Sequence, residues 1–129
     1  MEKVDRTHWE RAELFEFFSA VSHLFYSVIF RVDVTNLYRY VKERHLSFYY
    51  AMGYLVTDAV NSVKNFRYAI RDGEVWLLDE RIPSLTDLKP GSEQFHIVTL
   101  PKVGGIAEFC ASAQARSAAQ KTLLDQDEE

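Results

Sequence analysis

The sequence predicts an α+β domain built from antiparallel strand pairs and helices. Three observations carry this. Segments with apolar residues at helical spacing alternate with short runs rich in β-branched and aromatic residues. Asp72-Gly73 sits between two such runs and marks a tight hairpin. The resulting order is helix, strand, two helices, hairpin, extended strand, helix, which is a mixed layout rather than a repeating one. With no internal repeat, low-complexity tract or linker, residues 1–129 read as one domain.

Each element has a local cause. Asp5 or Thr7 can cap a first helix, in which Leu14, Phe15, Phe17, Phe18 and Val21 recur at helical spacing between Arg11 and Val21. Phe25 to Val32 reads as a strand from its β-branched and aromatic content. Asp33 stands where an N-cap belongs, and Leu37, Tyr40 and Val41 then form one face of a short helix ending near His45. Ser47 opens a more apolar helix, Phe48 to Val63, whose continuous hydrophobicity predicts burial on most sides. The hairpin pairs Phe66–Ile70 with Glu74–Leu78. After Pro83 comes an extended stretch, then a turn at Leu88-Lys-Pro-Gly91 and a strand over Phe95–Leu100. Gly104-Gly105 precedes a last helix, Ile106 to about Leu124, and residues 125–129 form a polar acidic end.

Composition narrows the function classes. The net charge is −4, and no cluster of Lys or Arg could serve a phosphate backbone, so nucleic acid is not an expected partner. One cysteine, Cys110, cannot form an internal disulfide or a zinc–thiolate cluster. The first eight residues are polar and lack the apolar core of a signal peptide, and the longest apolar-rich run contains Asp58 and is too short to span a bilayer. A cytoplasmic, membrane-free protein is the expectation. Nine Phe and seven Tyr exceed what a minimal core needs. The plain reading is a Phe-rich core. The sharper one places some of these rings in a pocket or an interface.

Few residues suggest chemistry on their own. None of His8, His23, His45 and His96 pairs with another ligand at metal spacing, so no metal is expected. His96 reads as a half-exposed strand residue pointing away from Phe95 and Ile97. Cys110 reads as a buried, inert thiol. Gly104-Gly105 reads as a strand-to-helix hinge, with an anion site at the helix N-terminus as the alternative. Arg11 reads as a surface arginine, or as the partner of a carboxylate on another segment. Asp72, Glu74 and Asp79 are explained by turn chemistry and solvated strand ends.

Four segments together resemble the N-terminal half of the chloramphenicol acetyltransferase family. They are Trp9-Glu-Arg11-Ala-Glu13-Leu-Phe15-Glu-Phe17-Phe18, Val32-Asp33-Val34-Thr35, Phe48-Tyr49, and Phe66-Arg67-Tyr68-Ala69-Ile70-Arg71-Asp72-Gly73-Glu74 with Trp76 and Asp79. The last block is the most specific, and order and spacing agree over about residues 9–100. The resemblance implies the N-terminal half of a two-layer α+β sandwich, with a mostly antiparallel sheet and helices packed on one side. It implies transfer of an acetyl group from acetyl-CoA to a hydroxyl of a small hydrophobic acceptor. In that family a histidine of a His-His-x-x-x-Asp-Gly motif deprotonates the hydroxyl. The oxygen then attacks the thioester, and a serine hydroxyl stabilises the oxyanion.

That histidine motif does not occur in these 129 residues, so the resemblance assigns no catalytic residue here. The expectation is a domain truncated before the family's catalytic half, which also holds the oxyanion serine and most of the coenzyme A tunnel, and inactive by itself. What the resemblance does assign is an acceptor pocket: Phe17 and Phe18 on the first helix, Phe95 on a later strand, and Ile97 two residues further along the same face. Arg11 matches an arginine that pairs with the aspartate of the missing motif. The family also implies a trimer with its sites between subunits, or here a complementary C-terminal half. A non-enzymatic module that oligomerises or binds a small molecule is the alternative.

Overall fold

Ser47 begins the longest helix by accepting the Tyr50 N–H on its side-chain oxygen at 3.3 Å, as an N-cap does. The structure, a computed structural model, describes residues 1–124, so the acidic end expected over 125–129 lies outside the described residues. Strand β1 spans Glu2–Lys3, helix α1 Ala12–Ser19, helix α2 Thr35–Glu43 and helix α3 Phe48–Ser62. A 3₁₀ turn, Lys64–Arg67, leads to strands β2 (Tyr68–Arg71), β3 (Glu74–Leu77), β4 (Ser84–Leu88) and β5 (Phe95–Thr99), and helix α4 covers Ile106–Ala119.

The strands form two antiparallel sheets. One is three-stranded in the order β1-β3-β2, and the other pairs β4 with β5. Asp72 and Gly73 carry φ of 52° and 75°, two left-handed residues in succession, as a two-residue hairpin between right-twisted strands requires. The Asp-Gly turn expected from the sequence therefore sets the β2–β3 register, with Ile70 opposite Val75 and Arg71 opposite Glu74. Arg67 and Arg81 tie the hairpin's open end: Arg67 donates to the Asp79 carbonyl at 2.9 Å and Arg81 to the Phe66 carbonyl at 2.9 Å.

The core gathers Val41 of α2, Tyr50 and Ala51 of α3, Val98 and Leu100 at β5, and Phe109, Cys110 and Ala113 of α4. Helices α2, α3 and α4 therefore pack with the inward row of β5. Asp33 does not cap α2, whose N-cap is Val34 with no side-chain bond; its Oδ1 instead accepts the Thr35 N–H (2.9 Å) and the Thr35 hydroxyl (2.6 Å), an Asx turn just ahead of the helix. Gly104, with φ +71°, turns the chain into α4, and the Glu108 side chain folds over it. The hinge reading of Gly104-Gly105 agrees with that geometry. Cys110 is 1 % exposed, and burial pushes its thiol above the usual range.

Several expectations need correction. Phe25 to Val32 does not form a strand. It runs without secondary structure, and no backbone ladder pairs it with another segment among the described residues. A strand exists only through its partner, so strand propensity alone cannot make one. The core is not Phe-rich. Phe109 is buried, whereas Phe17, Phe18, Phe25, Phe30, Phe66 and Phe95 are exposed. Helix α3 is not covered on most sides, since Tyr49, Leu55 and Val56 face outward. Asp5 caps its own turn through Thr7 and His8 rather than α1, which starts after Arg11 with no side-chain cap. The last helix ends at Ala119, short of Leu124.

Candidate functional site

Trp9 anchors the start of α1. Its ring lies 5.9 Å from Phe15 and 5.2 Å from Tyr68 of β2, which docks the helix against the three-stranded sheet. Arg6 reinforces the joint by stacking over Phe15 and bonding Glu16 at 3.1 Å. Between α1, the Leu24–Phe25 stretch and β2 opens an apolar groove of about 520 Å³, walled by Trp9, Phe15, Phe18, Phe25, Tyr68 and Ile70. Arg11 and Asn65 add its polar groups. A groove of that size, apolar with a few polar groups, suits a small hydrophobic ligand.

The predicted site residues divide between two places. Phe18 and Arg11 line this groove. Phe17 stands edge-on to Phe18 with centroids 5.2 Å apart, and is 67 % exposed. The Arg11 guanidinium has no ion pair among the described residues. Phe95 belongs elsewhere. It lies on the outward row of β5 with Ile97, beside Tyr49, Thr86 and Leu88 in a shallower groove of about 310 Å³. The groove that holds Phe18 does not include Phe95. On the other edge of β5, Gln120 donates to the Ile97 carbonyl at 2.8 Å, and the Ile97 N–H donates to the Leu123 carbonyl at 2.8 Å.

His96 departs from expectation. It is 1 % exposed rather than half-exposed, because it shares the inward row of β5 with Val98. Its Nε2 lies 2.9 Å from the Ser117 hydroxyl of α4. Ser117 donates to Asp87 of β4 at 2.6 Å, and the Tyr50 phenol of α3 donates to the same oxygen. Burial raises the Asp87 carboxyl, but the hydrogen bonds from Ser117, Tyr50 and the Leu88 N–H outweigh it and hold the group below its ordinary range. Burial, with the bond to Asp87, pushes the Tyr50 phenol up to about 12, so it stays a donor at neutral pH. The apolar residues two and four positions beyond His96, Val98 and Leu100, were the sequence signal that it faces inward.

Among the described residues, no group of three or more His, Cys, Asp or Glu is placed to hold a metal ion. No described helix is long and apolar enough to cross a membrane.

The family model described as chloramphenicol acetyltransferase matches residues 1–125. A chloramphenicol acetyltransferase from Clostridium perfringens is 38 % identical over 95 residues, which are 73 % of this chain and 44 % of that protein. Chloramphenicol acetyltransferase 3 from Escherichia coli is 31 % identical over 107 residues, 83 % of this chain and 50 % of that one. A solved chloramphenicol acetyltransferase superposes with a TM-score of 0.81 at 25 % identity, over 93 % of this chain and 56 % of the other. The chain spans about half the length of the curated relatives it matches.

Proposed function

The chain belongs to the chloramphenicol acetyltransferase family, and from that premise we propose that residues 1–129 supply the acceptor-binding side of an acetyl-CoA-dependent O-acetyltransferase. The acceptor is a small hydrophobic molecule bearing a hydroxyl, as chloramphenicol is. One observation supports the reading: an apolar, aromatic-walled groove includes Phe18 and Arg11, two of the residues that the family resemblance singles out. In this reading Phe17 stands beside that groove, and Phe95 and Ile97, which lie apart from it on β5, join the acceptor side where subunits meet. Arg11 is left to meet a carboxylate supplied by another segment.

The proton-accepting histidine comes from outside these residues, because no His-His pair occurs in them. In this reading it belongs to a complementary C-terminal portion, within a trimer whose sites lie between subunits, working in the cytoplasm. Acetyl-CoA is the co-substrate, and its tunnel lies largely with that portion. The chemistry is balanced within those parts. The base takes the acceptor's hydroxyl proton, the oxygen bonds to the acetyl carbon, and the thioester breaks to release coenzyme A as its thiol.

The test is an acetyl-CoA assay that detects free thiol, with chloramphenicol as acceptor. Purified 1–129 is expected to be silent alone and to gain activity when mixed with the C-terminal half of a relative carrying His-His-x-x-x-Asp-Gly. Thiol release by 1–129 without that addition overturns the split of roles. A second reading, a binding or oligomerising module without catalysis, rests on the same groove and on the uncovered Phe25–Val32 stretch. Chloramphenicol binding with no activity in any mixture favours it.

A further inference from the structure

One nitrogen of His96 is buried with nothing to bond. The ring is 1 % exposed and its Nε2 lies 2.9 Å from the Ser117 hydroxyl, but its Nδ1 has no partner among the described residues. The donors around it fix what that nitrogen can do. The Asp87 carboxyl is held below its ordinary range, so it has no proton to give at neutral pH, and Ser117 donates to it at 2.6 Å. A serine hydroxyl has one proton, so toward His96 Ser117 can only accept. The neutral ring therefore carries its proton on Nε2, and Nδ1 is a lone pair that needs a donor. A buried acceptor without one bears a desolvation penalty.

His96 also helps wall a pocket of about 510 Å³ between the β4–β5 turn and the chain after α4. Three contacts frame it. The Ser92 N–H donates to the Lys89 carbonyl at 3.0 Å and closes the turn. The Ile97 N–H donates to the Leu123 carbonyl at 2.8 Å. Lys89 Nζ reaches across to the Lys121 carbonyl at 2.9 Å, which joins the two sides. Lys89 and Lys121 both line the pocket, together with Glu93 and Gln94. Neither ammonium pairs with a carboxylate among the described residues, and Glu93 has no ion pair there either. Two ammonium groups against one carboxylate leave the pocket with a net positive charge.

We propose that this pocket binds a phosphate that keeps a proton: Lys89 and Lys121 bond its charged oxygens, and its P–O–H donates to His96 Nδ1. The class of ligand follows from the donors and acceptors present. A carboxylate or a sulfate would satisfy the lysines, but near neutral pH neither has a proton to offer the histidine. Inorganic phosphate retains at least one. Glu93 on the same wall repels a fully ionised anion more than a partly protonated one. The site lies apart from the groove of Trp9 and Phe18, and it stands whether or not the acetyl transfer proposed above does.

The probe is inorganic phosphate, titrated into the 129-residue chain at pH 7 and compared with sulfate at equal ionic strength. Lysine side-chain signals and the imidazole nitrogen shifts of His96 are the readouts. Saturable phosphate binding is expected at about 1 mM, as suits a few charge-assisted bonds near solvent. Sulfate is expected to bind about tenfold more weakly, for want of the bond to the buried nitrogen. Phosphate, and not sulfate, should move the Nδ1 signal. Lys89→Gln and Lys121→Gln should each weaken phosphate binding about threefold. Lys121 is exposed, so that variant decides if Lys89→Gln fails to fold. Reading His96 in the wild-type chain avoids replacing a buried ring. Residues 125–129 bring four acids of their own, Asp125, Asp127, Glu128 and Glu129. If phosphate binds only after these are changed to amides, the chain's own carboxylates are the occupant and the proposal fails. No saturable phosphate binding, equal affinity for sulfate, an unmoved Nδ1 signal, or full affinity in Lys121→Gln likewise overturns it.

Discussion

Asp87 gathers three hydrogen bonds and holds its carboxyl below the ordinary range, and that has a sign in pH. A carboxyl whose folded pKa is depressed stabilises the fold above its unfolded value, about 4, and loses that contribution as pH falls through the folded value. Urea midpoints of wild type and Asp87→Asn should therefore differ most at pH 7, with wild type the more stable. The gap should shrink as pH falls below about 4. A gap of constant size across that window would mean that the charge on Asp87 contributes nothing. The aromatic residues show a different residue-scale effect. Phe109 is 1 % exposed in the core, whereas Phe25 is 93 % exposed. Identical side chains thus occupy opposite environments, and composition could not sort them.

Among the elements, the stretch from Phe25 to Val32 has the residues of a strand without the bonds of one. Phe25, Tyr26, Ile29 and Phe30 are all exposed, and no ladder joins the stretch to another segment among the described residues. Unpaired amides in water exchange their hydrogens quickly, and a cooperative ladder slows them. Hydrogen exchange on residues 1–129 alone is expected to be fast over 25–32 and slow over α3. Addition of a C-terminal half from a relative should then protect 25–32. Fast exchange that persists in an active mixture would remove this stretch from the assembly surface. The hairpin makes the opposite case. Asp72 and Gly73 at positive φ supply their own geometry, so β2 and β3 were readable as a pair before any tertiary contact.

For the molecule as a whole, the uncovered surface matters more than the covered one. Phe17, Phe18, Phe25, Ile29, Phe30 and Val56 all stand exposed. Apolar exposure on that scale marks a surface that meets another chain or segment. Sedimentation of residues 1–129 alone should show concentration-dependent association. A sharp monomer over a wide concentration range would count against that. Taken alone, the sequence determined the α+β class, the Ser47 cap, the Asp72-Gly73 hairpin and the family resemblance. These depend on residues close together in the chain, whose backbone chemistry acts whatever surrounds it. Only the tertiary structure decided that His96 is buried with Ser117, Asp87 and Tyr50, that Phe18 and Phe95 line different grooves, and that Phe25 to Val32 goes unpaired. Each of those depends on partners far away in sequence, and burial and strand pairing belong to such partners rather than to the residues themselves.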